Sequence, residues 1–141
     1  LIGDDISSFV SEELYREFVM PTYEKIYNQF PYTKRWLHND ANAGHLAGAI
    51  ADCGFELWHV GDCIDIVKAC QGARYKVKVV GNLSPTKCLK DGTVDSVSKA
   101  SEQLIERFDK CDKYILSAGG YISFGTPLEN VLAMIRVAKD Q

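Results

Sequence analysis

Five short apolar runs in this chain each break off at a cluster of glycine and polar residues, and a segment with helical spacing follows each break. The breaks are Gly3-Asp4-Asp5, His38-Asn39-Asp40, Gly61-Asp62, Gly81-Asn82 and Ser117-Ala118-Gly119-Gly120. A strand that ends in turn-forming and titratable residues, followed by a helix, is the pattern of a βα unit with a site at the strand's C-terminal end. Repetition of that unit argues for a parallel sheet built from right-handed crossovers. About four and a half units fit into 141 residues, whereas a closed (β/α)8 barrel takes about 250. The expected fold is therefore α/β: the C-terminal half of a TIM barrel, with residues 1–141 as one partial domain.

The individual elements follow from local chemistry. Leu1-Ile2 reads as the tail of a strand. Ser11 is a good N-cap, with Glu12 and Glu13 in the first turn where the helix dipole favours anions. Pro21 is expected to kink or restart that helix, which continues to about Phe30. A strand over 34–38, a helix over 44–53 closed by Gly54, and strands over 55–60 and 75–80 come next. A helical turn near 86–89, a helix over 94–109, a strand over 114–117 and a final helix over 127–139 complete the pattern.

Composition narrows the function classes. A formal charge of −3 gives no reason to expect a nucleic-acid or anionic-membrane partner. No apolar run approaches a membrane span, and no signal peptide is visible. Five cysteines without CxxC spacing read as reduced, structural thiols of a cytoplasmic protein, set away from the strand ends.

His38 and Asp40 stand two apart, so on a continuing strand both point to one face. Facing a pocket, Asp40 can accept N–H bonds from a substrate amine and His38 can move a proton, since an imidazole gains and loses one near neutral pH. The structural alternative makes Asp40 an N-cap or Asx turn and His38 a packed rim residue. Asp5, Asn39, Asn82, Gly119 and Gly120 are the candidate substrate-binding positions at the same strand ends. At most one of Asp4 and Asp5 is expected to face the pocket. Asn82 offers a donor and an acceptor or simply forms a turn, and the glycine pair permits close backbone approach or a tight loop. One of Trp58 and His59 must point outward under the helices, and Trp58 is the better packing residue.

Gly81-Asn82-Leu83-Ser84-Pro85 with Asp91-Gly92-Thr93 resembles the GN(L/V)DP…GT segment of the uroporphyrinogen decarboxylase superfamily. Gly3-Asp4-Asp5, Phe18-Val19-Met20-Pro21 and Ile115–Gly119 with Thr126–Asn130 resemble further segments of that pattern, in the same order. The resemblance implies a TIM barrel and activities that include porphyrinogen decarboxylation and methyl transfer to or from corrinoids. Zinc-dependent thiol methyltransferases of this group carry His-x-Cys and a second Cys where this chain has His38, Asp40 and Gly120. The His-Asn-Asp version is more similar to zinc-free enzymes that move a methyl group between methylcobalamin and tetrahydrofolate. The resemblance thus implies a corrinoid protein as partner and no zinc, with His38 and Asp40 the only weak metal candidates. The alternatives are a uroporphyrinogen decarboxylase, a zinc-dependent thiol methyltransferase, or an inactive half-barrel. The isolated chain is expected to be inactive and to pair with the N-terminal half of the barrel or with a second copy as a homodimer.

Overall fold

The computed structural model describes residues 1–108 and 111–139. Five strands, β1 (Ile2–Gly3), β2 (Trp36–Asn39), β3 (Leu57–Val60), β4 (Lys78–Leu83) and β5 (Tyr114–Ala118), form one sheet in sequence order. Every neighbouring pair is parallel. Every crossover carries helix, as the alternating pattern requires.

Register explains the two faces of the sheet. Ile2, Leu37, Trp58, Val79 and Tyr114 pair residue by residue into an apolar row, and Leu37, Trp58 and Val79 are buried in the main core. Each such side chain contributes about 1.5–3 kcal/mol of burial. The next row, Gly3, His38, His59, Val80 and Ile115, faces the other way. Ile115 is 41% exposed there, and Trp36 on the same face is 37% exposed.

The helices cover the apolar row. A helical run comprises α1 (Glu12–Leu14), a π-helical stretch (Tyr15–Val19) and α2 (Met20–Gln29). Ser11 Oγ accepts from Leu14 N at 3.2 Å, fulfilling the N-cap expectation. Pro21 sits in the first turn of α2, directly behind the π-helical stretch, so the run restarts as α-helix there, as expected. The ring therefore meets widened backbone turns, which accommodate its missing N–H. Tyr23 and Tyr27 both pack edge-on to Phe55, with centroids 5.5 Å apart.

α3 (Ala47–Asp52) follows a 3-10 turn over Gly44–Leu46 and ends near Gly54, whose φ of +75° fits the expected cap. α4 (Ile66–Gly72) is capped by Asp65, which accepts from Val67 N and Lys68 N. α5 (Val94–Glu106) starts with a capping box between Thr93 and Ser96. α6 (Leu128–Lys139) closes a second, smaller core of Leu83, Leu89, Val97, Ala118 and Ala133.

Several boundaries differ from expectation: β2 is Trp36–Asn39 where 34–38 was expected, and β3 starts at Leu57 where 55 was expected. β4 begins three residues later than read, because Arg74 and Tyr75 adopt positive φ and turn the chain after α4. It also runs on through Gly81-Asn82, held by pairing of Leu83 with Ala118. The helix expected to reach Asp109 is α-helical to Glu106; Asp109 lies outside the described residues. Among the described residues, no helix is long and apolar enough to cross a membrane.

Candidate active site at the C-terminal rim

The register that pairs β2 with β3 sets His38 directly beside His59. Their rings stack with centroids 4.6 Å apart and planes 30° from parallel. His38 Nδ1 lies 2.6 Å from His59 Nδ1, and His59 Nε2 lies 2.8 Å from the Ala118 carbonyl oxygen on β5. His59 is nearly buried at 7% exposure. His38 keeps about a third of its side chain in solvent, and its Nε2 stands 3.9 Å from Asp40 Oδ2. A line of polar groups thus runs across the sheet from Ala118 through both imidazoles to the Asp40 carboxylate.

Asp40 is held from three directions. Its backbone N–H donates to Asp5 Oδ1 at 3.1 Å. Its carbonyl oxygen accepts from the Cys63 thiol at 3.7 Å. Gly120 lies so near its carboxylate that a Cβ there would stand 2.9 Å from Oδ2. The Asx turn considered for Asp40 is made by Asn39 instead, whose Oδ1 accepts from Ala41 N at 3.2 Å. The carboxylate of Asp40 is therefore not spent on turn chemistry.

The other candidate positions divide into contributors and supports. Gly119 and Gly120 pack against Asp62 and Asp40, where the backbone approach leaves no room for a Cβ. Asp5 supports the Asp40 backbone. Asn39 needs correction as a substrate contact: it points away from His38, is 1% exposed, and its Nδ2 donates to the Asp4 carbonyl. Asn82 is half-buried, and its Nδ2 donates to the carbonyls of Gly61 (2.9 Å) and Ile64 (2.8 Å), which straps β4 to the β3 loop. Asp4 is tied to the Ser7 N–H and to the hydroxyls of Ser7 and Tyr23. His45 anchors to the Val10 carbonyl at 2.9 Å, which fixes the start of the helical segment after β2.

Sequence reasoning passed over two residues of this rim. His59 occupies the third position of its strand, as His38 does of its own, and Trp58 beside it is fully buried on the helix side. That shared position in two adjacent parallel strands was the available signal. Cys63 is the second: it lies exposed in the loop after β3, against Asp40, and not away from the strand ends as expected. All five cysteines are free thiols.

Among the described residues, no three His, Cys, Asp or Glu side chains converge. His38 Nδ1 is already engaged by His59, which leaves at most His38 Nε2 and Asp40 as donors where catalytic zinc takes three protein ligands. A cavity of about 500 Å³ lies among Arg16, Glu24, Tyr27, Arg35 and Asp52, none of them a residue of this rim.

The chain is similar in sequence and in fold to known proteins. A methylated-thiol–coenzyme M methyltransferase of Methanosarcina mazei is 26% identical over 135 residues, covering 95% of this chain and 35% of that protein. A uroporphyrinogen decarboxylase of Pelodictyon phaeoclathratiforme is 28% identical over 148 aligned positions, covering 99% of this chain and 41% of that one. The solved structure of a methyltransferase from Methanosarcina mazei superposes with a TM-score of 0.83 at 25% identity, over 99% of this chain and 41% of that chain. The chain thus spans roughly two-fifths of the length of these relatives, and its five βα units are part of a (β/α)8 barrel. With the uroporphyrinogen decarboxylase profile matching residues 1–141 throughout, the chain belongs to that family.

Proposed function

We propose that this chain supplies the C-terminal half of the active site of a methyltransferase that moves a methyl group from methylcobalamin, delivered on a corrinoid protein, to tetrahydrofolate. The observation that carries the reading is the His38–Asp40 pair: a carboxylate free of turn bonding beside an imidazole nitrogen that faces the open rim. Methylcobalamin, when bound, supplies the methyl group, leaving the electron pair of the broken bond on cobalt. The acceptor nitrogen forms the new N–C bond with its lone pair and must then lose its proton. Asp40 accepts hydrogen bonds from the N–H edge of the acceptor and so fixes its orientation. His38 Nε2 takes the proton, and the charge that results lies 3.9 Å from the Asp40 carboxylate.

The rest of the rim suits a large, mostly apolar ring brought from outside. Phe9 in the loop after β1 and Tyr121 and Phe124 in the loop after β5 are each at least 75% exposed. The sheet face that carries His38 and His59, with Trp36 and Ile115 uncovered on it, is closed in this reading by the N-terminal half of the barrel, or by a second copy where that half is missing. A cytoplasmic setting, where thiols stay reduced, suits the five free cysteines.

A thiol acceptor is the second reading, supported by the name of the Methanosarcina relative. The visible spectrum of methylcobalamin, followed with the full-length protein, separates the two. Loss of the methylcobalamin spectrum on adding tetrahydrofolate without metal supports the proposal. Loss only with thiol and zinc, or turnover of uroporphyrinogen instead, refutes it.

A further inference from the structure

We propose that His59 is a positioning residue that sets the tautomer of His38 and thereby leaves His38 Nε2 free to take a proton at the rim. The inference rests on the reading of His38 as proton acceptor and deepens it. The Ala118 carbonyl oxygen can only accept, so His59 Nε2, 2.8 Å away, carries a hydrogen. A neutral imidazole has one N–H, so His59 Nδ1 is bare and accepts. His38 Nδ1, 2.6 Å from it, must then donate. The single hydrogen of a neutral His38 is thus placed on Nδ1, and Nε2 keeps its lone pair.

Burial makes the arrangement durable. His59 is 7% exposed and stacked on His38, so water has little access to the contact between the two Nδ1 atoms. Without His59, nothing else in the described structure accepts from His38 Nδ1, and the ring relaxes to the Nε2–H tautomer that a free imidazole prefers. That tautomer offers no lone pair where the proton has to go. During turnover the proton passes from the acceptor N–H to His38 Nε2, and His38 becomes an imidazolium with hydrogens on both nitrogens. His59 gains and loses nothing and touches no substrate.

The test uses the resting full-length protein labelled with ¹⁵N-histidine, in which long-range ¹H–¹⁵N correlation spectra report the tautomer of His38, assigned by its disappearance in His38→Gln. Wild type is expected to show the hydrogen on His38 Nδ1, and His59→Phe to move it to Nε2. His59→Gln carries an acceptor and a donor in one planar group and is expected to restore the Nδ1–H form. In kinetics, His59→Phe lowers kcat by about 10²-fold with KM nearly unchanged, and His59→Gln recovers most of it. A wild-type His38 protonated on Nε2, or a tautomer indifferent to His59→Phe, overturns the proposal. If the Phe variant does not fold, the wild-type and Gln spectra still decide. The spectra need no substrate, so an error about the acceptor leaves this result standing and visible as a separate failure.

Discussion

Gly120 lays its backbone against the Asp40 carboxylate, with φ at +146° and no space for a side chain on the side of Oδ2. The loop after the last strand therefore sets how far the carboxylate can swing toward the rim. Gly120→Ala meets two costs, the strained φ and a methyl group 2.9 Å from Oδ2. We expect a loss of about 1–3 kcal/mol in urea unfolding together with a fall in methyl-transfer rate. Unchanged stability and rate would show that the loop yields freely.

Asp52 ties the helix side together and gives the fold an acid-labile element. Burial works to raise its carboxyl pKa, but the Arg16 hydrogen bond and the charges of Arg74, Arg16 and Lys76 outweigh it and hold the group below the usual carboxylate range. A lowered folded-state pKa means stability that is complete above the unfolded value of about 3.9 and lost as pH falls through the folded one. Thermal melts from about pH 6 down to about pH 2 should therefore show wild type more stable than Asp52→Asn at the upper end, with the two converging at the lower. Parallel curves would contradict the assignment.

Cys63 should be the first thiol modified. Burial pushes the Cys53 and Cys70 thiols up to about 11, and Cys70 is also fully covered. Cys63 is raised too, by partial burial and the nearby Asp62 and Asp40, yet it alone is exposed. Peptide mass spectrometry after brief alkylation should find Cys63 labelled well ahead of Cys53 and Cys70. Because its sulfur lies 3.7 Å from the Asp40 carbonyl, a bulky adduct should slow methyl transfer, whereas Cys63→Ser should not.

Much of this arrangement was legible in the residues themselves. The strand ends that stop at glycine and polar clusters all came to one rim, and Ser11 and Gly54 capped their helices as their chemistry demands. Alternation along β2 put His38 and Asn39 on opposite faces, which already argued against Asn39 as a substrate contact. What escaped was pairwise. The contact of His59 with His38 depends on the register of two strands whose partners lie 21 residues apart. The start of β4 depended on positive φ at Arg74 and Tyr75, residues whose types give no hint of it. The Asn82 amide also reads as a free ligand until the β3 loop folds over it.

The most direct test of the account is the methyl-transfer rate of Asp40→Ala in the full-length protein, with circular dichroism as the check on folding. On the proposed role of Asp40, the spectrum stays native and the rate falls by about 10²-fold or more, because the acceptor would lose the group proposed to orient its N–H edge. A native spectrum with a wild-type rate would contradict it.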